Sequence, residues 1–400
     1  MRTLILILIF AALASAQDVD ILIRPEAIYV ENIVGNIVPM ERAFFHVVVE
    51  NKSQTPVDIQ WVRFDAVNSA GMVLSGQYSG NALINLFDSA IDRKRIEPTP
   101  KGTVTLDSGQ RKAISDIFMD FPLGFMGENL LVEVDYKSDG KDVFFKVSAP
   151  LTRTKGFSGR LPFDGIWYVA AEHGFLDPHK RFMAETFAYD FLQIGSNGRS
   201  FQRNGKNNSD YYAYGKKVLA AKEGTVVFLR TDVTENVPGE TTNTAAPGGN
   251  VVIIDHGNDQ YGYYAHLKPS SVSVKLGNRV RAGDPIGEVG NSGDSLEPHL
   301  HFHVMSKPDP AEGDGIPLVF ENWNAVSYSR TPAARQQGVL PRGEFVHPKN
   351  SEEPSPSACG YSIRNHQYAI PNTNVEFSLA ITLFIAVIPH LCSKLAIGDC

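Results

Sequence analysis

The stretch EPHLHFHVM, residues 297–305, places three histidines at alternate positions. His299, His301 and His303 interleave with Leu300, Phe302 and Val304. Strict alternation with aromatic and β-branched residues in the apolar places predicts a half-buried strand. Side chains two apart share one face of a strand, so the imidazoles line one face and the apolar residues turn to a core. Neutral imidazole is a common zinc ligand, and a row of three is a natural start for a zinc site. The competing reading is a solvated face that happens to carry histidine. Three in register, behind a proline and a Gly-rich turn, weigh against it.

A catalytic zinc usually takes three protein ligands and keeps one position open. The rest of the chain must supply what this strand does not. In FAYDF, residues 187–191, Phe187, Tyr189 and Phe191 alternate with Ala188 and Asp190. Asp190 therefore lies opposite three aromatics. A lone carboxylate in an apolar strand is costly to bury unless a cation or a hydrogen-bond cluster meets it. In YYAHL, residues 263–267, His266 ends a strand that runs into the polar turn KPSS. Taken alone, it reads equally well as a surface histidine. All three cysteines, Cys359, Cys392 and Cys400, lie in the last part of the chain. The metal ligands of the body are therefore not thiolates, and an odd count leaves one thiol over in any pairing.

Four hundred residues suggest two or three domains. The formal net charge of -7 argues against a nucleic-acid partner. Residues 1–16 read as a secretory signal peptide: Arg2, an apolar run from Leu4 to Leu13, then Ala14-Ser15-Ala16 before a cut at Gln17. The expected location is periplasmic, cell-envelope or extracellular, and no cysteine near the cut marks a lipid anchor. Residues 17–152 carry runs such as AFFHVVVENKS and VDIQWVRFDAV, alternating and separated by turn residues. They predict an immunoglobulin-like β-sandwich without a cluster of chemical residues. His46 sits in one of these apolar runs as a structural residue. From 153 to 345 short strands continue while Gly, His, Asp and Tyr concentrate, which predicts a compact, barrel-like all-β domain, with SVSVKLG (271–277) among its strands. Residues 346–400 form a linker and tail of unassigned structure. Their apolar run at 377–388 is about half the length of a spanning helix.

VLAAKEGTVVF, GNVVIIDHG, YYAHLKPSSVSVKLGNRVRAGDPIGEVGNSGDSLEPHLHFHV and GIPLVF follow in order. This series resembles the lysostaphin-like (LytM-type) zinc metalloendopeptidases over about residues 165–325. The resemblance implies an antiparallel β-sheet fold with an open groove. It implies Zn2+ as cofactor and peptide bonds of peptidoglycan stems or cross-bridges as substrate. Carried over by motif, His301 and Asp190 bind zinc, and His299 and His266 are the catalytic imidazoles. The usual H-x-x-x-D spacing fails, because Thr186 stands four before Asp190. HKRFMAETFAYDF resembles a variant with the histidine further upstream, which makes His179 the candidate third ligand, with His173 as the alternative. His303 lies one step beyond the pair and is expected to support a ligand rather than bind metal. Tyr211, Tyr212 and Tyr214 are candidates to line the groove.

Two other readings stay open. The chain could be an inactive peptidase-fold module that binds cell wall or activates a hydrolase. RVRAGDPIGEVG also resembles a biotin- or lipoyl-carrier hairpin. A carrier needs a lysine on the hairpin, and none lies between Lys275 and Lys307. The N-terminal sandwich is expected to contact protein or cell wall, or to act as a spacer.

Overall fold

The structure is a computed structural model of the chain. It describes residues 18–33, 40–79, 104–153, 156–171, 179, 182–326, 332–338, 340 and 342–349. The expected signal peptide, the alternative ligand His173 and the apolar run at 377–388 lie outside the described residues. Among the described residues no helix is long and apolar enough to cross a membrane.

The chain is almost entirely β-structure, and two apolar cores form on either side of Arg153. The first nine strands are β1 (Val19–Arg24), β2 (Ile28–Ile33), β3 (Met40–Asn51), β4 (Val57–Asn68), β5 (Val73–Ser79), β6 (Val104–Leu106), β7 (Arg111–Pro122), β8 (Gly127–Ser138) and β9 (Lys141–Thr152). They follow one path, β1-β3-β2-β9-β8-β4-β5, with β7 on β3 and β6 on β4. All pairs are antiparallel except the short parallel join of β2 to β9. The halves on either side of that join share one core. Ile21, Phe45 and Ile117 come from one half, and Ile59, Phe64 and Val132 from the other. The alternation read from the sequence thus builds a sandwich.

The second group begins with β10 (Phe157–Gly159), β11 (Trp167–Ala171), β12 (Tyr189–Leu192), β13 (Lys217–Leu219), β14 (Gly224–Arg230), β15 (Asn250–Asp255) and β16 (Tyr261–Leu267). It continues with β17 (Arg279–Val280), β18 (Pro285–Glu288), β19 (Leu300–Met305), β20 (Leu318–Val326), β21 (Pro332–Gly338) and β22 (Phe345–Pro348). The main sheet runs β10-β20-β22-β11-β12-β19-β16-β15-β14-β17, with β21 on β20, and β13 pairs with β18 apart from it. That order has two ends, so the expected barrel-like closure is corrected to an open sheet. Residues 271–275 are not a strand either. Their alternation is real, but the backbone N–H of Ser273 goes to Ile286 and that of Lys275 to the Asn278 side chain, so no ladder forms.

β19 sits inside the sheet, between β12 and β16. Leu300, Phe302 and Val304 are fully buried in the larger core. Phe302 packs at ring distances of 4.7 Å from Tyr264, 6.1 Å from Phe320 and 6.4 Å from Phe157. Burying each such side chain contributes about 1.5–3 kcal/mol. One register slip would carry all three to the histidine face, so core burial locks which face the histidines line.

Candidate metal centre

Register builds the site. Asp190 on β12 lies directly opposite His301 on β19, and on the other side Ala265 and Tyr263 of β16 lie opposite His301 and His303. Residues directly opposite each other share a face. Asp190 and His301 therefore meet: Nδ1 of His301 is 3.0 Å from Oδ1 of Asp190. The other carboxylate oxygen lies 3.5 Å from Nε2 of His179. One donor atom from each of His179, Asp190 and His301 falls within 4.8 Å of the other two. Zinc bonds of about 2.0–2.2 Å place tetrahedral donors roughly 3.4 Å apart, so this spacing and this donor set fit zinc.

His299 and His266 flank the cluster. His299 precedes β19, with Nε2 3.5 Å from Asp190 and its ring 4.7 Å from that of His266. Nδ1 of His299 donates to the carbonyl of Glu297 at 2.8 Å. Nδ1 of His266 donates to the carbonyl of Ser292, also at 2.8 Å. Each neutral ring so fixed keeps Nε2 as a bare lone pair. The Gly-rich turn GNSGDS, residues 290–295, thus orients a site histidine through a backbone carbonyl. No side-chain pattern could have revealed that. His266 is also held at φ 58°, in the left-handed region that non-glycine residues rarely adopt. Its backbone N–H donates to Gly248 and its carbonyl accepts from Gly290.

Charge falls unevenly here. Burial raises the Asp190 carboxyl, but the imidazoles of His179 and His299 outweigh it and hold the pKa well below the usual carboxylate range. Burial lowers His299, and the Asp190 charge reverses that to a net rise. His266 is driven well below the usual imidazole range by burial, then by its histidine neighbours.

His303 is wholly buried, stacked on Tyr263 at 4.6 Å and 16°. Its Nδ1 lies 2.8 Å from Nε2 of His301, the nitrogen turned away from Asp190. Its own Nε2 has no protein hydrogen-bond partner among the described residues. The three histidines therefore stand in different places. His299 sits beside the carboxylate, His301 against it, and His303 behind His301. The tyrosines are tied into the fold. The Tyr214 hydroxyl donates to Glu235 at 2.7 Å, that of Tyr211 donates to the Gly205 carbonyl, and the Tyr212 ring fills the space a Gly195 Cβ would need.

Residues 209–312 match the profile described as Peptidase family M23, and this stretch is an M23 peptidase domain. It contains His266, His299, His301 and His303, while His179 and Asp190 lie before it. The chain is 42% identical over 72 residues to peptidoglycan DD-endopeptidase ShyA of Vibrio cholerae, covering 18% of this chain and 16% of that protein. It is 38% identical over 101 residues to DD-carboxypeptidase/endopeptidase Mpg of Neisseria meningitidis, covering 25% and 21%. The chain thus spans about a fifth or less of the length of these relatives. A solved structure of lysostaphin from Staphylococcus simulans is 23% identical, covering 37% of this chain and 47% of that one, with a TM-score of 0.24. A score that low carries no inference.

Proposed function

We propose that the chain is an exported zinc metalloendopeptidase that hydrolyses peptide bonds in peptidoglycan stem or cross-bridge peptides. The observation that carries this reading is the convergence of His179, Asp190 and His301 beside the paired imidazoles His266 and His299. In it, the first three hold the metal. Bound zinc supplies Lewis acidity toward a carbonyl oxygen and toward water.

The remaining chemistry belongs to the two free imidazoles. Both are fixed through Nδ1, so each presents Nε2 for one proton. His299 takes the proton of the attacking water, and the Asp190 carboxylate 3.5 Å away stabilises the resulting cation. His299 then returns that proton to the leaving amine, and His266, its ring centre 4.7 Å away, orients the attacking water by accepting a hydrogen bond at its bare Nε2. His303 holds His301 by its Nε2, which leaves Nδ1 toward the metal position. The name of the Vibrio cholerae relative supports a peptidoglycan peptide as substrate, and both names support endopeptidase action.

The test uses purified protein and peptidoglycan from several sources, following release of new amino termini. Release that a chelator stops and zinc restores is the expected result. Zinc-loaded protein that releases nothing from any wall sinks the enzyme reading and leaves a wall-binding or hydrolase-activating module.

A further inference from the structure

One of the three proposed zinc ligands, His179, stands off the sheet strands. His301 lies on β19 and Asp190 on β12, each strand hydrogen-bonded on both sides. His179 reaches β12 through a short 3-10 turn, Met183–Glu185, and residues 186–188. Sites on such turns are less rigid than sites on sheet strands unless something packs against them.

The sandwich packs against this one. His46 and Arg24 are cross-strand partners on β3 and β1. The β3–β7 register shifts between Phe45 and Val47, where β7 carries one extra residue opposite His46. Nε2 of His46 lies 3.3 Å from Oγ1 of Thr186, and both residues are buried. Thr186 in turn donates to the Met183 carbonyl at 2.9 Å, closing the 3-10 turn. Arg24 pairs with Asp314 at 2.7 Å, with both side chains at least 85% shielded (exposure 13% and 15%), and also donates to the Glu312 carbonyl. The next residue, Gly315, donates to the Met183 carbonyl at 2.7 Å. A Cβ on Gly315 would sit 3.1 Å from the Ala184 and Met183 carbonyls. Tyr29 of β2 sets its ring edge-on to Phe187, at 6.1 Å and 89°. The Phe182 N–H donates to the His179 carbonyl at 2.9 Å, which ties the far end of the segment to the same turn. Arg24, Tyr29 and His46 therefore all bear on the stretch between the two ligands.

We propose that this sandwich edge is a clamp whose function is to position His179 against Asp190, and so to set the affinity of the site for zinc. The proposal rests on the zinc site proposed above. Arg24, Tyr29 and His46 are positioning residues. They order the ligand segment in advance, so that metal binding does not have to bear that entropy.

The test is made on the full chain with zinc and cobalt(II) ions as probes. Zinc affinity is read by chelator competition, and ligand geometry by the visible spectrum of the cobalt(II) form. Arg24→Ala combined with His46→Ala should weaken zinc about 10- to 100-fold, the usual effect of losing support behind metal ligands. It should also alter the cobalt(II) bands. Arg24→Lys should recover part of the loss. Arg63→Ala breaks a sandwich ion pair with Glu133 at 2.7 Å and touches none of the clamp. It should leave zinc affinity and the spectrum unchanged. If the double variant does not fold, Tyr29→Leu alone should still weaken zinc about threefold or more. Wild-type affinity and spectrum in folded clamp variants overturn the proposal alone. An equal loss in Arg63→Ala overturns it too, because general stability then explains the effect. A wild-type chain that binds no zinc overturns both the clamp and the zinc-enzyme reading.

Discussion

In the sandwich, nearly buried Glu41 meets Arg153 through two hydrogen bonds, at 2.7 and 2.9 Å, while in the open sheet, among the described residues, Asp190 meets imidazoles. Arg42 and Asp120 repeat the sandwich arrangement at 2.5 and 2.7 Å. A guanidinium is permanently charged and fills both carboxylate oxygens, so such a pair is closed. An imidazole can give up its proton and offer a lone pair to a cation. The same buried carboxylate chemistry is thus a finished contact in one core and an open cradle in the other.

That difference can be broken first at the cradle. His301→Ala should abolish zinc binding and amino-terminus release together, as read by metal content and peptidoglycan assay. Zinc retained at full stoichiometry would remove His301 from the ligand set. Next, His299→Ala and His266→Ala should each lower release about 10²–10⁴-fold with zinc content unchanged, the range for loss of an acid–base group. Loss of zinc in either variant would move that histidine into the ligand set. In the sandwich, Arg153→Met should cost about 3 kcal/mol by denaturant unfolding, because Glu41 is left buried and unpaired. Adding Glu41→Leu should recover most of it. The same exchange at Asp190 should remove zinc rather than restore stability, because an apolar side chain offers a cation no donor.

The last effect concerns pH. His256 is half-buried against Phe157 with Nδ1 donating to the Glu223 carbonyl, and desolvation pushes its pKa from 6.5 down to about 4. Between those values the unfolded chain binds the extra proton, so stability falls as pH falls, and the full penalty is present below about 4. One such group gives a slope of up to about 1.4 kcal/mol per pH unit. His256→Gln should flatten the acid limb of the stability profile between pH 6.5 and 4. An unchanged limb would show that His256 takes its proton while folded.

What could be read before folding follows from range. The histidine strand was legible because periodicity is local and both of its faces carry strong signals. Asp190 was legible for the same reason, as a carboxylate among aromatics. The open ends of the sheet were not, since Gly-rich turns look alike whether a sheet closes or stays open. Nor was the contact of Ser292 with His266, because a backbone carbonyl has no letter in the sequence. His46 read as a core residue, and it is buried. Its bearing on Thr186, 140 positions away, needed a second sheet to arise.

The left-handed backbone at His266 has a consequence for anyone who would transplant this centre. Writing the histidine spacing onto a regular extended strand of another scaffold would reproduce donors for an ion. It would aim the imidazole of His266 wrongly, because ordinary strand geometry sends that side chain elsewhere. A graft must carry the Gly248 carbonyl, the Gly290 amide and the Ser292 carbonyl along with the ring. The smallest portable unit of this chemistry is therefore a loop scaffold with its histidines, not a histidine pattern.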